Sequence, residues 1–215
     1  YISHLHEDHL DQKLLREGAN KNIPVFIKTF KDRRLFRRIE SFGFRNVIEL
    51  PPWESYQLSE DLEITIIPTD TSNSANLIDE IDYDLDTSIV IRSLRDNTFF
   101  YNNVDSPMTV NGYKKVREYI QSHGENSKVD IACLYVGAAS EYPQCFGGID
   151  RQSEMEKIID ASIVEFAEKI TTLQNEAYFT AGGTYIIPGK FSALNQYIAQ
   201  PTTNQLRTAA RPIES

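Results

Sequence analysis

The chain opens with YISHLHEDH at residues 1–9, and this stretch is its most informative feature. It holds three of the four histidines together with an aspartate, in the order His4-x-His6-x-Asp8-His9. Imidazole nitrogens and carboxylate oxygens are common protein ligands of zinc and non-haem iron. One tight turn can present several such groups together, so the spacing predicts a metal site. The alternative interpretation is a solvated polar loop.

Composition indicates one globular domain of ordinary core content, with 40% hydrophobic and 11% aromatic residues among 215. The net charge of -9 argues against a general nucleic-acid binder, since such proteins are normally basic. No run of about 18 apolar residues occurs and no signal-peptide pattern opens the chain, so we expect no membrane span. Cys133 and Cys145 form no CxxC pair, which favours unpaired thiols and a reducing cytoplasmic setting.

Strand and helix patterns follow one another along the chain, which predicts an α/β layered arrangement. The clearest helix is predicted over residues 151–173, where apolar side chains recur at steps of four and three, with Asp150 as its N-cap. Helices are also predicted over 30–42 and 110–122, and a turn at Asp96-Asn97. Strands are predicted over residues 24–28, 46–50, 63–67, 87–92, 98–101, 131–136 and 184–187.

Three segments stand apart from this pattern. Residues 69–86 are polar, acidic and long for a connection, which suggests a functional loop. Residues 200–215 are polar without a clear period, so we expect a domain over 1–199 followed by a polar C-terminal extension. A rigid metal motif normally follows a complete strand, yet only three residues precede His4. We therefore expect further strands upstream of Tyr1 in a longer natural protein.

The strand end with Ser3-His4-x-His6-x-Asp8-His9 and a short helix over residues 11–18 resembles the metallo-β-lactamase fold. This resemblance implies an αββα sandwich, apparently lacking its first N-terminal strands here, with the metal site at one edge of the two sheets. It implies His4 and His6 as ligands of a first metal, and Asp8 and His9 as ligands of a second. Asp8 would also be catalytic, as the acid or base at the metal-bound water. The cofactor implied is Zn²⁺, one or two ions, or Fe.

Two aspartates later in the chain are further candidate ligands. In the family, a strand of the type at residues 100–105 ends in an aspartate that bridges two metals, and Asp105 takes that place. The alternative for Asp105 is a turn-forming role. Where the family has another histidine, this chain has Asp70, which would complete a two-His, one-carboxylate set with His4 and His6. Non-haem iron favours that set and zinc accepts it. The alternative for Asp70 is a loop cap.

The last histidine of the family pattern has no counterpart. The one remaining histidine, His123, lies at a predicted helix C-terminus and is interpreted as a helix residue. A second metal would therefore have only Asp8, His9 and Asp105, and a single metal or an unequal pair is expected.

Short stretches at residues 102–105, 137–145 and 178–195 resemble one branch of the fold, the CMP-N-acetylneuraminate hydroxylases and related sugar-nucleotide N-acyl hydroxylases. Gly183 stands where that branch has proline. The branch inserts oxygen into an N-acetyl group and draws electrons from a Rieske iron–sulfur domain. A Rieske centre needs two cysteines and two histidines, and no Cys-x-His pair occurs here. Such a centre would lie upstream or on another protein.

Three functions are compatible with these features. The first is a metal-dependent hydrolase that uses a metal-activated water on an ester, amide or phosphodiester. The second is an oxygenase of the hydroxylase type, and the third is a non-catalytic or regulatory domain that keeps part of a metal site. The expected partner is a small-molecule substrate. The basic run at residues 31–38 either binds a phosphate or protein partner or is the solvated face of a helix.

Overall fold

Strands and helices alternate along the computed structural model, which describes residues 1–70, 86–104, 106, 108–137, 140–182 and 185–210. A turn of π-helix at Leu14–Gly18 and a 3₁₀-helix at Gly189–Tyr197 accompany the regular elements. The strands are β1 (Val25–Lys28), β2 (Val47–Leu50), β3 (Ser55–Gln57), β4 (Leu62–Pro68), β5 (Thr87–Ser93), β6 (Phe99–Asn102), β7 (Ile131–Tyr135) and β8 (Ala177–Ala181). The α-helices are α1 (Arg34–Ser41), α2 (Val110–Gln121), α3 (Arg151–Leu173) and α4 (Thr203–Ala210).

These strands form two sheets. β1 and β2 make a parallel pair, and β3 to β8 make a six-stranded sheet in sequence order. Neighbouring strands are antiparallel from β3 to β6 and parallel from β6 to β8. The turn expected at Asp96-Asn97 lies between the antiparallel strands β5 and β6. The parallel part needs long crossovers, and α2 and α3 lie in those crossovers.

Successive side chains along a strand point to opposite faces, so the core is divided into three hydrophobic clusters that lie between the layers of the fold. On β1, Val25 and Ile27 pack beneath α1, whereas Phe26 packs towards the larger sheet. On β4, Ile66 faces the smaller sheet and Ile67 faces the opposite side. The order of layers is α1, the two-stranded sheet, the six-stranded sheet, and the helices α2, α3 and α4. This is the αββα arrangement that the sequence predicts.

The boundaries of two helices follow from their capping groups. The side chain of Asp150 accepts a hydrogen bond from the Ser153 amide, so α3 begins at its expected N-cap. α1 begins at Arg34, later than expected, because Arg33 has a non-helical backbone and Asp32 accepts the Arg34 amide at 2.9 Å. None of the described helices is both long and apolar enough to span a membrane.

A strand was expected over residues 184–187, but residues 185–187, the part of it that the structure describes, form no strand. The amide side chain of Asn195 instead satisfies both backbone groups of Ile187, at 2.8 and 2.9 Å. The last strand is β8, which pairs in parallel with β7 and was not predicted.

The segment expected to be a surface extension contains α4. Leu206 and Ala210 of this helix are 4% and 0% exposed and belong to the core beneath α3. Leu206 and Ala210 are four residues apart, so a helix places both on one face. The mostly polar residues around them, 202–205 and 207–208, hide this short apolar stripe in the sequence.

Candidate metal centre

The histidine motif is held against both sheets. The Ile2 amide donates to the Phe26 carbonyl of β1 at 3.0 Å, and the Thr87 hydroxyl of β5 donates to the Ser3 carbonyl at 3.1 Å. A turn then follows, in which the amides of His9 and Leu10 donate to the His6 carbonyl at 3.0 and 2.9 Å. The motif therefore lies between β1 of the smaller sheet and β5 of the larger sheet.

Three side chains converge in this region. His4 Nε2 lies 2.8 Å from His6 Nδ1 and 3.0 Å from Asp86 Oδ1. Within the described part of the chain, these residues form a group whose potential ligand atoms all lie within 4.8 Å of one another. His4 is fully buried, and the Asp86 side chain is 17% exposed. The result is two imidazoles and one carboxylate around a common point.

The hydrogen bonds that the polar atoms of this group lack are compatible with a bound cation. Asp86 Oδ1 is buried and accepts no hydrogen bond, although His4 Nε2 lies close to it. A buried carboxylate oxygen in that state is costly unless a positive group satisfies it. His4 Nε2 carries at most one proton, yet it faces both His6 Nδ1 and Asp86 Oδ1. A shared divalent ion satisfies all three atoms, so the donor set and its placement fit a metal.

Ser3 fixes the orientation of the central imidazole. Ser3 Oγ lies 3.0 Å from His4 Nδ1, and both residues are buried. If Nδ1 donates its proton to this hydroxyl, Nε2 is left as the unprotonated nitrogen that faces His6 and Asp86. The Ser3 hydroxyl can accept that proton, so the tautomer required of a metal ligand is available to His4.

His9 and Asp8 lie beside the group. The His9 ring is tilted against the His4 ring with centroids 4.5 Å apart. Asp8 Oδ2 lies 3.5 Å from His9 Nε2, and the Asp8 side chain is 77% exposed. Both residues are therefore near the centre, with Asp8 on its solvent side.

Asp70 has other partners. Its carboxylate accepts a short hydrogen bond from the Thr109 hydroxyl, and it lies 3.6 Å from Lys115 Nζ. Thr109 is the N-cap of α2 and accepts the Gly112 amide. A Cβ on Gly112 would approach Asp70 Cβ to 2.8 Å, so this close packing requires glycine. The structure places Asp70 at the start of α2 and Asp86 beside the histidines.

Asp105, the proposed bridging ligand, lies outside the described residues. Its neighbour Val104 has a positive φ of 53°, which is strained for a β-branched residue. The Asn102 side chain accepts the Val104 amide at 2.9 Å and helps to hold this turn. On the other side of Asp105, Ser106 lies near the Asp86 backbone, because its Oγ donates to the Asp86 carbonyl at 3.4 Å.

A buried polar network supports this region from the core side. Tyr113 donates its hydroxyl to Asn103 Oδ1 at 2.9 Å, and Tyr101 donates to Ser88 Oγ at 3.3 Å. Burial raises the pKa of both tyrosines well above the usual range, because the phenolate would lose its hydration. Both hydroxyls therefore remain neutral donors near neutral pH.

The remaining candidates lie away from the centre. His123 contacts the Tyr119 carbonyl at 2.9 Å and packs against the Phe99 ring at the end of α2, as its sequence context suggests. Burial raises the pKa of Cys133, whereas Cys145 is exposed. The arginines of the basic run face solvent, with Arg33 paired to Glu49 at 2.7 Å.

Asp86 is the residue that sequence reasoning missed. It is the last residue of the acidic segment 69–86, which was expected to be functional, and it directly precedes β5. The signal available in the sequence was its position immediately before a buried strand, since strand ends are rigid places for ligands. Nothing in its local spacing connects it to residues 4–9, because their proximity is purely tertiary.

No protein-family model matches the chain. A structure of a possible metal-dependent hydrolase from Veillonella parvula is 15% identical with a TM-score of 0.57, over 98% of this chain and 68% of that chain. An isothiocyanate hydrolase from Delia radicum gut bacteria is 16% identical with a TM-score of 0.56, over 98% and 69%. The metallo-beta-lactamase fold protein YhfI from Bacillus subtilis is 10% identical with a TM-score of 0.52, over 99% and 70%.

The chain has the metallo-β-lactamase fold. A curated relative from Mycolicibacterium smegmatis, named as a Rieske 2Fe-2S iron-sulfur protein, is 26% identical over 170 residues and 73% of this chain. The chain spans 30% of that relative's length. At these levels of identity the structural comparisons establish the metallo-β-lactamase fold itself.

Proposed function

We propose that the chain is a metal-dependent hydrolase in which His4, His6 and Asp86 hold one divalent ion, zinc or iron. The observation that carries the proposal is the convergence of the three side chains on one point, with a buried Asp86 oxygen that accepts no hydrogen bond. The solved structures of this fold described above include proteins named as hydrolases, which supports the same class of reaction. A second ion at Asp8, His9 and Asp105 is a further prediction.

The chemistry assigned to the residues follows from their environments. A bound ion supplies Lewis-acid activation of water and of the substrate oxygen. Ser3 holds the His4 ring so that Nε2 faces the ion-binding point. We assign proton transfer to the Asp8 carboxylate, because it lies on the solvent side of the centre, 3.5 Å from His9, whose ring packs against His4. The substrate class is an ester, amide or phosphodiester.

A second candidate is an oxygenase of the sugar-nucleotide N-acyl hydroxylase type. Two observations favour it, namely the two-His, one-carboxylate donor set and the relative named as a Rieske protein. In that case iron would be the resident metal, and a Rieske centre elsewhere would supply electrons. The same three residues serve both candidates, so the identity of the metal and the need for oxygen separate them.

The test is turnover by the protein reconstituted with zinc or with ferrous iron, under nitrogen and in air. The substrates are p-nitrophenyl acetate, an anilide and bis-p-nitrophenyl phosphate. The hydrolase proposal predicts release of product under nitrogen, lost in His6→Ala and kept in His123→Ala, a histidine remote from the centre. Turnover only with iron and oxygen would favour the oxygenase. Equal non-zero rates for His6→Ala and the unaltered chain would refute the proposed site for both candidates. No turnover under any of these conditions would leave the non-catalytic function.

A further inference from the structure

A cavity of about 210 Å³ lies at the same sheet edge as the candidate metal centre. Asp86 directly precedes β5, Asn103 directly follows β6, and Val136 directly follows β7. Because β5 is antiparallel to β6 and β6 is parallel to β7, these positions share one edge. The residues that line this cavity include Asn103, Ser106, Met108, Ser162, Glu165 and Lys169.

Ser106 joins the cavity to the centre. Its side chain lines the cavity and donates to the Asp86 carbonyl at 3.4 Å. Asn103 Nδ2 donates to the Ser106 carbonyl at 2.8 Å, and the Tyr113 hydroxyl donates to Asn103 Oδ1. One wall of the cavity is thus hydrogen-bonded to the backbone of a candidate metal ligand.

Lys169 supplies the positive charge in this cavity. The residue is 7% exposed, and its ammonium donates to the Tyr135 carbonyl at 3.0 Å. Among the described residues, the carboxylate that pairs with it is Glu165, at 2.8 Å, and the Glu165 side chain is 62% exposed. A buried ammonium needs an anionic partner, and an exposed i,i+4 partner on the same helix is a weak and replaceable one.

We infer that this cavity binds the carboxylate group of a small substrate, with Lys169 as its cationic anchor. The carboxylate would displace Glu165 towards solvent and form charge-assisted hydrogen bonds with Lys169 in a largely enclosed site. The hydroxyl and amide groups of Ser106, Ser162 and Asn103 suit polar atoms next to that carboxylate. The assignment to a substrate rests on the proposed function, whereas carboxylate binding itself does not.

The chain provides its own reporters for a test, because it has two methionines. Met108 lines the cavity, and Met155 lies on α3 seven residues before Ser162, roughly 10 Å along the helix. Protein labelled with ¹³C in the methionine methyl groups is titrated with N-acetylglycinate and, separately, with the neutral N-acetylglycinamide. The expected result is a saturable shift of the Met108 signal with the carboxylate only, while the Met155 signal stays in place.

Variants identify the anchor. Lys169→Met should weaken binding about tenfold or more, whereas Lys157→Met, an exposed lysine on the same helix, should leave it unchanged. Glu165→Gln should tighten carboxylate binding, because it removes the anion that competes for Lys169. If Lys169→Met does not fold, the affinity of Glu165→Gln tests the inference instead. An absent Met108 shift, equal shifts with the neutral amide, or unchanged affinity in Lys169→Met would overturn the inference.

The titration is run with zinc and after chelation. If the unaltered chain binds no zinc but still gives the Met108 response, the proposed metal centre alone is refuted. Zinc binding without a Met108 response would refute the carboxylate site alone.

Discussion

Replacement of Ser3 by alanine should weaken metal binding without touching any proposed ligand. Ser3 Oγ lies 3.0 Å from His4 Nδ1, and both residues are at most 4% exposed. Removal of the hydroxyl leaves a buried imidazole nitrogen without this partner and frees the ring to turn. Loss of a hydrogen-bond partner behind a ligating histidine typically lowers metal affinity about 10- to 100-fold. That range is our expectation for Ser3→Ala.

The fold should also lose stability. An unpaired buried polar group costs about 1–3 kcal/mol, so the free energy of unfolding of the metal-free protein should fall by that amount. Ser127→Ala is a matched control. Ser127 is likewise 4% exposed, and its hydroxyl accepts the Asn97 amide at 2.9 Å, near the far end of β6. Ser127→Ala should destabilise the fold similarly and leave metal affinity unchanged.

The assay is competition for Zn²⁺ with a chromophoric chelator, together with urea unfolding in the presence of EDTA. Ser3→Thr keeps a hydroxyl at this position and should restore most of the lost affinity. If Ser3→Ala binds zinc as tightly as the unaltered chain, the orienting role of Ser3 is wrong. An equal loss of affinity in Ser127→Ala would show that general destabilisation explains the effect.

Three further predictions concern the fold and the neighbouring residues. Leu206→Ala should lower the free energy of unfolding by about 2–5 kcal/mol, because Leu206 is 4% exposed in the core. Thr208→Ala, on the exposed face of α4, should change the free energy of unfolding by less than about 1 kcal/mol. Equally small effects of both substitutions would contradict the packing of α4. The folded state raises the pKa of Tyr101 and Tyr113, so the unfolded chain loses protons first above about pH 10. The free energy of unfolding should then fall with rising pH by up to about 1.4 kcal/mol per unit for each tyrosine; a flat urea-unfolding profile from about pH 9 to 11 would contradict this. Asp70→Ala should weaken the start of α2 by about 1–2 kcal/mol and keep the metal content of the unaltered chain, whereas loss of metal would make Asp70 a ligand.

Much of the fold could be predicted from periodic patterns. The strands β1, β2, β4, β5, β6 and β7 and the helix α3 lie close to their expected positions, because each has a regular apolar repeat. Strand β8 was missed, since it is an edge strand with Phe179 half-exposed and Tyr178 as its main core contact. Residues 185–187, within the strand expected over 184–187, show the converse case, because the backbone groups of Ile187 bond the Asn195 side chain instead of a neighbouring strand.

Only part of the candidate centre could be identified from the sequence. His4 and His6 belong to a local turn, and their spacing alone brings them together. Asp86 joins them through tertiary structure, because β5 begins at Thr87 and Thr87 holds the Ser3 carbonyl. Asp70 was the expected carboxylate, yet it bonds the side chain of Thr109, the N-cap of α2. Two acidic residues at opposite ends of one polar segment cannot be told apart without the strands that flank them.

Metal content of Asp86→Ala tests the central claim most directly. The chain, Asp86→Ala and the exposed control Asp61→Ala are each loaded with Zn²⁺, desalted and measured by inductively coupled plasma mass spectrometry. We predict close to one tightly held ion in the chain and in Asp61→Ala, and little or none in Asp86→Ala. Equal zinc content in all three proteins would contradict the assignment of Asp86, His4 and His6 as a metal centre.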